Sequence, residues 1–370
     1  MEEPVRIAHI VGKLNAAGVE AVVNNYYKNI DRSRFQFDYF IDADSTMAPP
    51  QELMELGARY IVIPPYQQLP KYMKTLVTLF RQNGYTIVHS GMNTLSVFPL
   101  LAARIAGVPV RINHNHSTAN VKEGKRVVLK YMLRPFAPLF ATDLAACGEK
   151  AGRWLFGDKR FDKGEVTVFR NAIDYERFRF DEAKRKEMRS RLGLDDCFVV
   201  GHVGRFMPQK NHAFLLEAFV LLAEKRPDAR LLLVGDGELR ADMELRCAEL
   251  GIADRVIFTG TVSNTCDYYQ AMDLFCLPSL FEGLPVVAVE AQVAELPVLV
   301  SDEVTREVNI SGQVEFLPLK SAGDWAEAME KMTSRGRIPL PDGPEKDAFN
   351  IKVQAGKLEE YYEERLARVK

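Results

Sequence analysis

Arg205 and Lys210 stand five residues apart in GHVGRFMPQKNHAFLLEAF, residues 201–219, where an apolar run gives way to a helix-like one. A strand there delivers Arg205, and Lys210 follows beside the start of the next helix, so two cations meet at a strand's carboxyl end. Such a pair can neutralise the charge that develops on a departing diphosphate. In FEGLPVVAVEAQ, residues 281–292, Pro285 suits a first helical turn, which sets Gly283 and Leu284 at a helix N-terminus and Glu282 just before it. The helix that follows is apolar nearly all round and is expected to be buried. Glu290 within it then needs polar partners to offset the cost of its charge, and sugar or ribose hydroxyls are such partners. Gly18, in VGKLNAAGVE (residues 11–20), opens another helix after a strand, and a helix N-terminus offers free N–H groups and partial positive charge to a phosphate. In RINHNHSTAN, residues 111–120, His114 and His116 are two apart, a spacing that points both rings to one face of a strand. No third ligand cluster accompanies them, so the expectation is a contact to a sugar or acceptor hydroxyl, or a structural role, rather than zinc. Asp42 and Asp44 form an Asp-x-Asp able to hold a divalent metal, but they follow the second strand of the first half, away from the other groups, and read as a loop.

These side chains need a frame that gathers strand ends. Short apolar runs alternate with amphipathic stretches along the whole chain, the pattern of parallel strands joined by crossover helices. Strands are predicted over 6–11, 35–41, 59–63, 86–89, 110–113 and 142–146, and in a second series over 198–203, 230–234, 255–258, 274–277 and 298–301. Residues 166–178 read as the connection between the two series. Residues 334–350, rich in Pro, Gly and charge, read as a linker, and 353–366 as an amphipathic helix with Ala355, Leu358, Tyr362 and Leu366 on one side. The expected fold is therefore α/β, with two Rossmann-like parallel-sheet domains, 1–170 and 171–345, and a C-terminal helix in 346–370. Doubly wound sheets bind ligands at the carboxyl ends of their strands, so the expected site is a cleft between the two.

Composition agrees. A chain that is 47% hydrophobic and 26% charged can bury a large core. Its five cysteines have no pair at the spacing of a zinc knuckle or a redox dithiol, which fits a reducing cytoplasm. The start, Met-Glu-Glu-Pro, has neither the basic region nor the apolar core of a signal peptide, and the best apolar run, 95–110, is broken by Arg104 and too short to span a bilayer. A protein that is soluble or sits at a membrane face without crossing it is expected. The net charge of −2 hides an asymmetry: residues 1–170 carry +7 and the rest −9. Much of the positive excess lies in NVKEGKRVVLKYMLRPFAPLF, residues 120–140, where Lys122, Lys125, Arg126, Lys130 and Arg134 are interleaved with Val127, Val128, Leu129, Met132 and Leu133. That composition suits either an interface with anionic headgroups or a core helix with a solvated basic edge.

Taken together, GRFMPQKNH and FEGLPVVAVE resemble the paired Arg/Lys and E-x7-E signatures of family 4 glycosyltransferases, which have the GT-B fold. The likeness continues in AAGVE, FRNAIDYERF, VGDGEL and FTGTV, and so covers nearly the whole chain. NIDRSRFQFDYF, AACGEKAGRWLFG and SDEVTREVNIS are particularly similar to the branch that builds bacterial exopolysaccharide and capsule. The resemblance implies a retaining, metal-independent sugar transfer from a nucleotide diphosphate-sugar, UDP favoured, to a lipid-linked saccharide, with no further cofactor and no nucleic acid partner. It implies that Arg205 and Lys210 bind the diphosphate, Glu282 the sugar hydroxyls, Glu290 the ribose, and the amides of Gly283 and Leu284 the sugar and phosphate. Gly18 would meet the phosphate from the first domain, Val262 would lie by the base, and His116 would contact the transferred sugar. The first domain would take the acceptor, the second the donor, and the C-terminal helix would return to the first. This chain has Ala17-Gly18 where many relatives have Gly-Gly, and Asn171-Ala172 where they have Asn-Gly. The resemblance implies that the departing diphosphate helps deprotonate the acceptor, so no protein nucleophile is named. The rival readings are a sugar-nucleotide 2-epimerase, which would need acid/base carboxylates in the cleft, a dehydrogenase, which would need a G-x-G-x-x-G, and a non-catalytic nucleotide-sugar sensor.

Overall fold

The computed structural model describes residues 3–14, 18–117 and 125–369. It divides into two compact units, Met1–Ala172 together with Ala348–Lys370, and Ile173–Asp347. In the first unit, seven parallel strands are β1 (Val5–Gly12), β2 (Phe35–Asp42), β3 (Arg59–Ile63), β4 (Ile87–Ser90), β5 (Val110–Asn115), β6 (Asp143–Ala146) and β7 (Val166–Val168), in the spatial order β3-β2-β1-β4-β5-β6-β7. In the second, β8 (Phe198–Val203), β9 (Ala229–Val234), β10 (Val256–Phe258), β11 (Leu274–Leu277), β12 (Val298–Ser301) and β13 (Glu315–Leu317) form a parallel sheet in the order β10-β9-β8-β11-β12-β13. Each order reverses once, between β1 and β4 in one sheet and between β8 and β11 in the other.

Alternation along the central strands gives the first unit a core on each face of its sheet. Ile7, Ile87 and Ile112 face a cluster shared with Tyr26, Tyr27, Leu358 and Tyr362, while Ala8 and Val88, one residue on, face Tyr72, Leu76 and Phe80. The helix Gly18–Asn29 and the C-terminal helix Ile351–Ala367 both cover the first face. Asn350 caps the latter by accepting from the Lys352 amide at 3.0 Å. Ala355, Leu358 and Tyr362 are buried, as the heptad-like spacing predicts, and Leu366 is partly so.

Two expectations are corrected here. Residues 166–178 are not a plain connection, because Val166–Val168 adds a strand beside β6 before the short helix Tyr175–Phe178. Residues 334–350 are not a free linker. The Arg337 guanidinium donates to the carbonyls of Ala294, Gln270 and Met272 and lies 4.0 Å from the Phe180 ring centroid, and the Ile338 amide donates to Glu295 at 2.7 Å. A planar fork of donors collects carbonyls left over at helix ends, which explains how a charged segment becomes anchored.

Leu358→Ala is expected to lower stability by about 2–5 kcal/mol, since Leu358 is buried between the sheet and the first helix. Denaturant unfolding measures it, and a loss below about 1 kcal/mol would show that the C-terminal helix is a loose appendage.

Candidate active site

In the second unit the predicted residues flank the point where the strand order reverses. β8 ends at Val203 and is followed by Gly204 and exposed Arg205, while Lys210 closes the next turn. Asn211, in the left-handed region at φ 56°, then starts the helix His212–Lys225. Across the reversal, the loop after β11 carries Ser279 and Glu282. The Lys210 Nζ lies 2.6 Å from Glu282 Oε1, which also accepts from Ser279 Oγ at 2.8 Å, and Gln209 Nε2 donates to Glu282 Oε2 at 3.1 Å. Ser301, the last residue of β12, bonds the Ser279 carbonyl, so three elements hold this carboxylate. The loop bearing Arg205 rests on the glycines of VGDGEL: a Cβ at Gly235 would lie 2.2 Å from the Gly204 carbonyl oxygen, and one at Gly237 2.5 Å from that of Phe206. Gly283 differs, for a Cβ there meets nothing within 4 Å. The packing of the chain does not demand glycine at that point, which leaves room for a ligand against the backbone. Leu284 is half-buried, Pro285 caps the helix Val286–Val293 instead of lying in its first turn, and half-buried Val262 follows β10.

The two glutamates differ in how the protein encloses them. Glu282, in a loop, is 8% exposed, whereas Glu290, on the apolar helix, is only partly buried. Glu290 also has a partner in the protein, because Tyr269 Oη donates to its Oε2 at 2.7 Å. Burial still raises its carboxyl to about 7, with Tyr269, Arg177 and Lys210 acting against the shift. Tyr269 was missed, since nothing in the sequence ties the helix Thr265–Ala271 to the helix of Glu290.

In the first unit the reversal lies between β1 and β4. Gly18 is the first residue of the helix after β1. His116 follows β5 and is buried, its ring 4.0 Å from that of His114. A Cβ at Gly91, just past β4, would lie 3.5 Å from both His116 Nε2 and Val19 Cγ1, so the glycine brings His116 up to the first turn of that helix. Burial pushes the His116 imidazole down to about 4, with nearby Asn171 acting slightly the other way. Asp42 ends β2, buried, its carboxyl raised to about 6 by burial and by Asp44, while Asp44 pairs with Lys13 at 3.1 Å. Among the described residues no three His, Cys, Asp or Glu side chains are grouped to hold a metal ion.

Residues 197–335 match the family described as Glycosyl transferases group 1. A Bacillus subtilis protein named as a glycosyltransferase, EpsF, is 35% identical over 341 residues, covering 90% of this chain and 88% of its own. This chain belongs to the group 1 glycosyltransferase family. An Escherichia coli relative, UDP-Gal:alpha-D-GlcNAc-diphosphoundecaprenol alpha-1,3-galactosyltransferase, is 28% identical over 80% of this chain and 79% of its own. In fold, the group 1 transferase matches the crystal structure of Anabaena HepE in complex with UDP and glucose with a TM-score of 0.78 at 19% identity, over 97% of this chain and 99% of that one. The two parallel-sheet α/β domains are thus those of the GT-B fold.

The transferase's Glu290 gives a pH signature. Its folded value of about 7 lies above its ordinary 4.5, so unfolding releases a proton between these values and stability falls as pH rises from roughly 4.5 to 7. Glu290→Gln is expected to flatten that slope, which for one proton is at most about 1.4 kcal/mol per pH unit. Parallel pH profiles of unfolding free energy in the two proteins would disprove the raised carboxyl.

Proposed function

We propose that this glycosyltransferase moves a sugar from a nucleotide diphosphate, UDP by preference, onto a lipid-linked saccharide in exopolysaccharide or capsule synthesis, with retention at the anomeric carbon and without a metal ion. The observation that carries the reading is the Lys210–Glu282 pair beside Arg205 at the reversal of the second unit's sheet. A diphosphate brought to that strand end meets two cations and the first amides of the helix after Gly283. Lys210 then divides its charge between phosphate and Glu282, and a Glu282 oxygen becomes free to accept a sugar hydroxyl. The pair thereby links recognition of the leaving group to recognition of the sugar. Both Glu282 oxygens are engaged by Lys210, Ser279 and Gln209, which supports a reaction on the leaving-group face without a protein nucleophile. In this scheme Glu290 holds the ribose, Val262 borders the base, and Leu284 and Gly283 present amides to sugar and phosphate. Gly18 is assigned to the phosphate and His116 to the transferred sugar. The UDP held by HepE and the UDP-sugar and diphosphoundecaprenol in the name of the Escherichia coli relative support the donor and acceptor classes.

Lys210→Ala and Arg205→Ala are each expected to lower turnover ~10²-fold or more with the fold intact by circular dichroism, and wild-type activity is expected to survive EDTA. Near-normal rates in both variants would sink the assignment. Loss of activity in EDTA with recovery in manganese would instead assign Asp42 and Asp44 to a metal.

A lipid-linked acceptor calls for a membrane contact, and we place it on residues 128–139. Val128, Leu129, Tyr131, Met132, Phe136 and Leu139 are exposed there, half of the twelve exposed large apolar side chains among the described residues, with Lys130 and Arg134 between them. Lys122 and the side chains of Lys125, Arg126 and Val127 lie outside the described residues. No helix among the described residues is long and apolar enough to cross a membrane. Cosedimentation with phosphatidylglycerol vesicles is expected at low salt, weakened by added salt and by Met132→Glu with Phe136→Glu. A double variant that sediments like the wild type would exclude this surface.

A further inference from the structure

All six histidines of the sequence are buried, and four of them form a row across the first unit's sheet. Alternation explains the row. Ile7, Ile87 and Ile112 face the C-terminal helix, and two residues further along the same three strands His9, His89 and His114 face the same way. Tyr362 of that helix places its hydroxyl 3.1 Å from His9 Nε2 and 2.7 Å from His89 Nδ1. His89 Nε2 is in turn 3.0 Å from His114 Nδ1, and His114 packs its ring against His116.

Burial holds the four rings neutral, and repulsion from neighbouring rings adds to it at His9, His89 and His114. His89 is pushed down to about 3 and His116 to about 4, while His9 and His114 fall well below the usual imidazole range. A neutral imidazole carries one N–H and one bare nitrogen, and a hydroxyl has one proton to give. If Tyr362 donates to His9, then His89 must donate to Tyr362 from Nδ1 and accept at Nε2, so His114 is protonated on Nδ1 and its Nε2 is bare. If Tyr362 donates to His89, every bond reverses and His114 carries its proton on Nε2. The proton order is thus set for the whole row at once. It ends at His114 Nε2, which is buried without a partner, as is His116 Nδ1 beside it. Changing a tautomer reverses the ring dipole, so the field on His116 depends on a hydroxyl two bonds away.

We propose that Tyr362 is a positioning residue for His116, acting through His89 and His114, so that the C-terminal helix fixes the electrostatic setting in which His116 meets the transferred sugar. The proposal rests on the sugar-contacting role given to His116 above. It accounts for a tyrosine hydroxyl placed within a sheet-face core, where phenylalanine would pack against Phe35 and Phe37 equally well.

The test combines ring-nitrogen NMR of the 15N-labelled protein with kinetics. In the wild type, His89 and His114 should each show one tautomer. In Tyr362→Phe both should move to exchange-averaged shifts, and kcat should fall roughly tenfold, the scale for losing a hydrogen bond behind a functional histidine, with donor KM within about twofold. His89→Leu, which cuts the next link, should reproduce the fall in kcat and keeps the test open if Tyr362→Phe folds poorly. Unchanged His114 shifts in Tyr362→Phe, or a kcat there within about twofold of wild type, would overturn the proposal. If the shifts move as expected but His116→Ala retains full turnover, the row stands as described and the role of His116 falls; with that role intact, Tyr362→Phe should add nothing to His116→Ala.

Discussion

Every strand pairing within the two sheets is parallel, so each crossover carries the chain back to the far edge and all loops leaving the carboxyl ends gather along one line. The proposed chemistry depends on this constraint. Arg205 and Lys210 leave β8, and Glu282 leaves the loop after β11, strands that are neighbours in space but 72 residues apart at the ion pair. At the reversal of strand order the two loops diverge to opposite faces, and the space between them is bounded by cations, a caged carboxylate and a helix N-terminus. In the first unit the same geometry sets the Gly18 helix and Gly91 on either side of its own reversal, with His116 against both.

How far this could be read in advance depended on whether a residue's surroundings were local. β8 and β11 are short, mainly apolar runs buried on both faces, broken only by Gly201 and His202 in β8, and announce themselves. β7 and β13 are three-residue edge strands whose VTV and EFL are mostly half-exposed, too short to show a period of two, and neither was anticipated. The C-terminal helix was legible because its apolar spacing is that of a helix and needs no partner to be recognised. The candidate site residues were named by motif and position, but their bonding was not legible. Periodicity assigned Glu290 to the interior because its neighbours are apolar, and could not see that Ser279, Gln209 and Lys210 bury the loop carboxylate Glu282 more deeply. Tyr269 escaped notice for the same reason: its bond to Glu290 spans two helices that only the fold brings together.

The histidines show a signal that was present and passed over. Three central strands of the first unit repeat Ile-x-His, and β8 repeats it as Val200-x-His202. An imidazole two residues after a core aliphatic on a parallel strand must lie on the buried face near the functional edge. There it stays neutral, as the depressed values of all six rings indicate. Reading only the pair His114 and His116 isolated the end of a row from what lies behind it.

The first unit is discontinuous, interrupted by 175 residues of the second before its last helix returns. This has a bearing on synthesis. As the ribosome extends the chain, residues up to 172 emerge with the sheet face of Ile7, Ile87 and Ile112 covered by the first helix alone, and with no hydroxyl to order the histidines. The second unit is complete in sequence before the stretch that carries Leu358 and Tyr362 has been made, so it can finish folding while the older half still exposes a strip of its core. Closure of the first unit is therefore the last event, and any early release of the chain leaves an apolar groove open for chaperones or proteases to recognise.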